Sequence, residues 1–397
     1  MNPRQKIVQE IREQGPMLFS HYIELCLYHP ELGYYSRNAE QFGKAGDFYT
    51  SSDVYAVFGR LLARQFEEIW RVLGSPERIE LLEVGPGRGL FAQDVLDWSE
   101  KKFTDFFAAL HYSLAEQSPA LRQRLQATLD RYFQNRKVSL TLTSIFDHAK
   151  AIGKGTTSVV PDDIPMVKAF APEVPIIIFA NEFFDALPVE VLSPQGQLRV
   201  SENDGQLFET WHPPSPEALE FLDRYSVHPE AGERVEASLM AQRYMSQIAS
   251  AIERGVIIAI DYGYTRQEQL TGRHRGTITA YRQHSVSTNP YEAPGEQDIT
   301  AHVNFTALTA AAEAQGMQVQ PLVTQSQFLM GIGEHNQFAD VFEDCRLPQE
   351  RAKVALQLKH LVTPAGMGET FHVLIASKGI SRQEAAKLSG LMFGKTA

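Results

Sequence analysis

Three short apolar runs constrain the fold most: Ile79 to Val84, Val174 to Ala180 and Val256 to Ile260. Each is aliphatic and ends near Gly, Asn or Asp, as strands buried on both faces of a parallel sheet do. Weaker strand patterns cover His111 to Ala115, Val138 to Leu142, Met317 to Val323 and Phe371 to Ser377. Helical patterns lie between them: Leu90 to Trp98, Pro119 to Phe133, Arg234 to Arg254 and Phe305 to Gln315. Ser118 before Pro119 reads as an N-cap followed by proline at the first helical position. Strands alternating with helices predict βαβ units and a doubly wound α/β sheet.

The 397 residues allow two or three domains, or one domain with large insertions. Residues 1–75 precede the first strand and read as a mainly helical cap or lid. The core then runs over 76–397, with insertions at about 186–233, 265–304 and 327–366. Ser193-Pro194-Gln195-Gly196 and Asn203-Asp204-Gly205 mark hairpins in the first insertion.

Between the first strand and its helix lies Glu83-Val84-Gly85-Pro86-Gly87-Arg88-Gly89. Glycine turns the chain sharply and leaves no Cβ between backbone and ligand. A loop that opens a helix also offers free backbone N–H groups to an acceptor. The dinucleotide fingerprint is GxGxxG with an acid about 20 residues on. Here the spacing is GxGxG, an acid precedes it, and Glu116 ends the next strand, where an acid suits ribose hydroxyls. This resembles a Rossmann-like class I methyltransferase more than a dehydrogenase. S-adenosyl-L-methionine is then the cofactor, held by Glu83, Gly85, Gly87, Gly89 and Glu116.

Composition narrows the alternatives. A formal net charge of -11 gives no general attraction for phosphate backbones, so nucleic acid is not the expected partner. Cys26 and Cys345 stand far apart, outside any CxxC pair, which fits two small buried hydrophobes in a reducing compartment. No stretch reaches the 18 or so apolar residues of a membrane span, and Met1 to Gln14 has no apolar signal core. The cytoplasm is the default location. The 12 histidines include no HExxH, and no Cys/His ligand spacing occurs, so no metal is expected. His284 and His302 read as surface or structural histidines.

Several blocks together carry a family resemblance. They are Gly33-Tyr34-Tyr35, Phe42-Gly43-Lys44-Ala45-Gly46-Asp47-Phe48-Tyr49-Thr50-Ser51, the Glu83 to Gly89 loop, and Asn181-Glu182-Phe183-Phe184-Asp185-Ala186-Leu187-Pro188. Ile260-Asp261-Tyr262-Gly263, Pro294 to Thr300, Thr324 to Leu329 and Met367 to Phe371 follow in the same order. The chain resembles the MidA-like family of S-adenosyl-L-methionine-dependent methyltransferases, which includes the mitochondrial complex I assembly-factor protein arginine methyltransferase. It departs from the family at Ser52-Asp53, where Pro-Glu is frequent, and at His372, where a basic residue is usual.

The resemblance implies methylation of a protein arginine, with a respiratory complex I-type subunit as one candidate substrate. A small molecule, another protein side chain, or a cofactor-binding assembly chaperone without turnover are the competing readings. A guanidinium starts as a cation and suits carboxylates, which accept its N–H groups in pairs. Asn181 and Glu182 should end a strand at the ligand-binding edge of the sheet. Glu182 is the expected guanidinium acceptor, Asp185 its support, and Asn181 a cofactor contact; capping and loop structure are the alternative roles. Asp261 either joins them in catalysis or anchors a turn with Tyr262-Gly263. Gly46, Asp47, Thr50 and Ser51 either fold over the methionine end of the cofactor or form a structural loop. Glu296 and Asp298 either grip a cationic peptide or sit solvated in a loop. Nothing in the sequence fixes the oligomeric state.

Overall fold

The structure is a computed structural model that describes residues 1–37, 56–141, 173–272, 276–282 and 285–393. Its main sheet contains β1 (Ile79–Val84), β2 (Leu110–Ala115), β3 (Val138–Thr141), β4 (Ile176–Asn181), β5 (Gly255–Tyr264), β6 (Gln318–Val319) and β7 (Phe371–Lys378). Their order across the sheet is β6-β7-β5-β4-β1-β2-β3. β1 to β5 run parallel, and β7 is antiparallel to both β5 and β6. Short strands Val303–Asn304 and Val323–Thr324 extend β5 and β7 at their margins.

Alternate residues of the central strands bury on opposite faces, as a period of two requires. Val256, Ile258 and Ile260 of β5 join Leu81, Ile177 and Phe179 in one cluster. Ile257 and Ala259 join Leu82, Ile178 and Leu374 in the other. Helices Ala56–Val72 and Leu90–Lys102 cover the first face, with the Phe91 ring stacked on Phe179 at 4.6 Å. Helices Leu239–Ser250 and Phe305–Ala314 cover the second. Of the first 75 residues, Ala56–Val72 therefore packs on the main sheet. Residues of helix Phe19–Tyr28 instead share a third cluster with Val191, Leu198 and Val200 of the inserted sheet. That sheet holds Glu190–Ser193, Gly196–Asn203 and Gln206–His212, joined antiparallel, and Met17–Leu18 pairs with its Val200 and Arg199.

Three elements differ from the sequence expectation. The Arg234 to Arg254 pattern is not one helix: Val235–Ala237 is a strand against Glu190–Leu192, and the helix is Leu239–Ser250. Val235 and Ala237 bury in a side cluster with Phe221, so tertiary pairing overrides the helical pattern there. The Met317 to Val323 strand breaks in two around Pro321, which has no N–H to give the ladder. Pro119 to Phe133 divides at Leu129 into Pro119–Thr128 and Asp130–Gln134. Its start is as expected: Ser118 Oγ accepts the Leu121 N–H at 3.3 Å, with Pro119 at the first turn.

Candidate active site

The strand order reverses between β1 and β4, and a crevice opens there at the carboxyl ends of the strands. A cavity of about 240 Å³ occupies it. Gly85, Pro86 and Gly87 form one wall, Ala115 to Pro119 a second, and Asn181, Glu182, Phe183 and Asp185 a third. Tyr28 and Tyr35 from the start of the chain and Asp298 and Thr300 from a late loop complete it.

The glycine turn has the geometry its sequence calls for. Gly85 and Gly87 have φ of +69° and +53°, a region that penalises a side chain. A Cβ on Gly87 would meet nothing within 4 Å, so this backbone faces open space in the cavity. A Cβ on Gly89 would instead strike Leu125 at 2.7 Å. Gly89 caps helix Leu90–Lys102 in a left-handed conformation and serves close packing; it is absent from the cavity wall.

Glu116 ends β2 and lines the cavity, with one carboxylate oxygen accepting the Ser118 N–H at 2.8 Å. Burial pushes its pKa up to about 7, against the pull of N–H groups from Ser118 and Gln117. Glu83 does not line the cavity. It points into the core beneath Tyr112, whose hydroxyl donates to it at 2.8 Å, and burial raises its pKa to about 8.

The loop after β4 is held from below by Asp261. Asp261 Oδ2 accepts the backbone N–H groups of Phe183, Phe184 and Asp185 at 3.2, 2.9 and 3.2 Å. Its Oδ1 accepts the Tyr262 N–H at 2.9 Å. Asp261 is fully buried and absent from the cavity wall. Burial and the nearby Asp185 and Glu182 carboxylates push its proton affinity up. The restrained loop places Asn181, Glu182 and Asp185 together on the wall. Glu182 adopts φ +50°, its N–H donates to the Ile260 carbonyl at 2.9 Å, and the Asn181 amide donates to its carboxylate at 3.1 Å. Burial raises the pKa of Asp185 to about 6.

The two late acids separate. Glu296 is exposed and pairs with Arg282 at 2.7 Å, whereas Asp298 is buried on the wall and accepts the Tyr35 hydroxyl at 2.7 Å. His302 packs edge-on against Tyr262 at 5.2 Å, and burial lowers its pKa. Gly46, Asp47, Thr50, Ser51 and His284 lie outside the described residues. Sequence reasoning assigned no role to Tyr28, Tyr35 or Thr300. Tyr35 stands in a family block, which was its only signal; Thr300 ends another. No group of three or more His, Cys, Asp and Glu side chains among the described residues could hold a metal ion.

Every charged side chain among the described lining residues is a carboxylate: Glu116, Glu182, Asp185 and Asp298. Open backbone over Gly87, an acid at the adjacent strand end and this negative lining fit a cofactor with a sugar and a cationic centre. A parallel sheet with one inverted strand, wound about a glycine turn, defines a class I methyltransferase fold.

The family follows from sequence. Residues 61–323 match the family described as "Putative S-adenosyl-L-methionine-dependent methyltransferase", and the chain belongs to that family. It is an S-adenosyl-L-methionine-dependent methyltransferase. Among its relatives are the Drosophila melanogaster protein arginine methyltransferase NDUFAF7 homolog, mitochondrial, 29% identical over 94% of this chain and 84% of the relative, and the Danio rerio protein arginine methyltransferase NDUFAF7, mitochondrial, 28% identical over 96% and 89%. A protein from Burkholderia thailandensis described as a "superfamily member and likely methyl transferase", crystallised with S-adenosyl-homocysteine, shares the fold. Its TM-score is 0.76 at 24% identity, covering 98% of this chain and 94% of that one. No helix among the described residues is long and apolar enough to cross a membrane.

Proposed function

We propose that this methyltransferase acts on a guanidinium nitrogen of a protein arginine. The observation that carries the reading is the all-carboxylate charge of the lining. A cavity that must receive a sulfonium cofactor already collects positive charge, and four acids with no cation among the described lining residues suit a second cation beside it. The relatives named as protein arginine methyltransferases support the same choice. The family resemblance makes a respiratory complex I-type subunit one candidate acceptor.

When bound, S-adenosyl-L-methionine supplies a methyl carbon on a sulfonium whose leaving group is a neutral thioether. No oxyanion needs stabilising, so the chain's work is alignment and exclusion of water. Alignment of this kind is worth roughly 7–11 kcal/mol in favourable intramolecular cases. Gly85 and Gly87 offer backbone to the cofactor, Glu116 takes its ribose hydroxyls, and Asn181 stands beside it. Gly46, Asp47, Thr50 and Ser51 keep their assignment to its methionine end on sequence grounds. The Glu182 carboxylate accepts the guanidinium N–H groups and takes the proton released when nitrogen is methylated. Asp185 is the second acceptor. Asp261 is a positioning residue that acts through the loop backbone.

The test is transfer of a tritiated methyl group to a protein extract from cells lacking this enzyme, followed by hydrolysis and amino-acid chromatography. Label in methylarginine is the expected result. Label confined to other residues, with arginine blank, overturns the assignment.

A further inference from the structure

At the cavity wall formed by Asp185 and Thr300, three polar side chains stand close together without a completed hydrogen bond. Asp185 Oδ1, Thr300 Oγ1 and the Tyr262 hydroxyl are each sealed from solvent and have no hydrogen-bond partner. Asp185 and Thr300 line the cavity and are 4% and 3% exposed. Tyr262 is near enough to act on the acidity of Asp185, and Thr300 acts on Tyr262 in turn.

Backbone bonds hold the segments that carry the three side by side. The Ala301 N–H donates to the Asp185 carbonyl at 2.9 Å, which fixes Thr300 beside the loop. Asp261 holds the N–H groups of both Asp185 and Tyr262. Buried polar atoms without partners cost stability, and a native structure that keeps three together calls for an explanation. A ligand that completes them supplies one.

The chemistry of the atoms limits that ligand. An ionised Asp185 only accepts. A ligand that draws the trio together would let Thr300 donate to Tyr262 and Tyr262 donate to Asp185, so that each hydroxyl spends its hydrogen within the trio. What remains is acceptor capacity on the Asp185 carboxylate and the Thr300 hydroxyl, and both residues line the cavity. A guanidinium carries donors only, several of them held in a plane.

We propose that Asp185, Thr300 and Tyr262 form the acceptor subsite. A planar, donor-rich cation binds there through N–H bonds to Asp185 and Thr300, while Tyr262 positions the Asp185 carboxylate from behind. This rests on the arginine reading above and adds Thr300 as a binding residue and Tyr262 as a positioning residue.

The experiment compares wild type, Thr300→Val and Tyr262→Phe, each loaded with S-adenosylhomocysteine. Nα-acetyl-arginine amide and Nα-acetyl-lysine amide are titrated in by calorimetry, and cofactor affinity and the melting temperature of the cofactor-free protein are read alongside. The arginine probe binds wild type, and Thr300→Val weakens it about tenfold or more, as expected for a lost bond to a charged group. Tyr262→Phe weakens it less, and cofactor affinity is unchanged in both. Cofactor-free Thr300→Val melts no lower than wild type, because an unsatisfied hydroxyl has gone. A lower melting temperature with probe affinity intact makes the trio a packing feature and overturns the proposal. Preference for the lysine probe, with the same loss in Thr300→Val, keeps the subsite and overturns the arginine reading. Absence of saturable binding of either probe to wild type overturns the subsite.

Discussion

Asp261 accepts the backbone N–H of Phe184 at 2.9 Å, and through this bond and its neighbours one buried strand-end carboxylate holds the loop that carries Glu182 and Asp185. The acid thus shapes the site from outside the cavity. Asp261→Asn would turn an amide donor toward either the three loop N–H groups or the Tyr262 N–H. The expected outcome is a stability loss of about 1–3 kcal/mol by denaturant unfolding, with methyl transfer reduced far more than the fold.

Glu182 holds φ +50° without being glycine, and strain of this kind costs about 1–3 kcal/mol where it is tolerated. Two substitutions separate its backbone from its carboxylate. Glu182→Gln should cut kcat by roughly 10- to 150-fold, the equivalent of a hydrogen bond to a charged group, with cofactor affinity retained. Glu182→Gly should lose activity as well yet melt no lower than wild type. A clear fall in melting temperature for the glycine variant would show that the conformation is not strained.

Gly87→Val should abolish binding of S-adenosyl-L-methionine in a calorimetric titration while leaving a folded protein. The added side chain would enter open space rather than packed atoms, and its left-handed φ costs only about 1–2 kcal/mol. Wild type should bind S-adenosyl-L-methionine and not NAD. The reverse preference would refute the assignment of the turn.

Glu83, Glu116 and Asp185 have pKa values raised to about 8, 7 and 6 by burial. Each therefore binds more protons folded than unfolded between its ordinary carboxylate value and its raised one. In that window unfolding releases protons, so stability falls as pH rises. The cofactor-free protein should lose melting temperature from pH 5 to pH 8. A cation bound beside Glu116 and Asp185 favours their ionised forms, so cofactor binding near pH 6.5 should release protons. Calorimetry in two buffers of different ionisation enthalpy measures this, and proton uptake would contradict it.

The parallel core was legible because its strands are buried on both faces, and such runs stand out whatever surrounds them. Period-two alternation also contained the answer for Glu83. Leu82 and Val84 bury on one face of the sheet, so Glu83 must share the face of Leu81 and point into the core. Val235–Ala237 was not legible, since three residues beside a helix carry too little pattern to announce a strand partner. Nor were the cavity residues supplied from afar. Tyr35 and Asp298 meet across 263 residues of sequence, and no local periodicity marks such a pairing. Asp261 was visible as a strand-end acid, but whether its carboxylate faced ligand or loop depended on the three N–H groups turned toward it.

The position of β7 has a consequence for how the enzyme is made. β7, the last strand among the described residues, lies between β5 and β6, both synthesised earlier, so neither can finish its pairing until residue 378 is available. At roughly 5–20 residues per second a ribosome completes the glycine turn well before it delivers that wedge. During the interval β5, with its Asp261, has an open edge. Chains cut short before Phe371 should thus be catalytically silent and prone to associate through that edge.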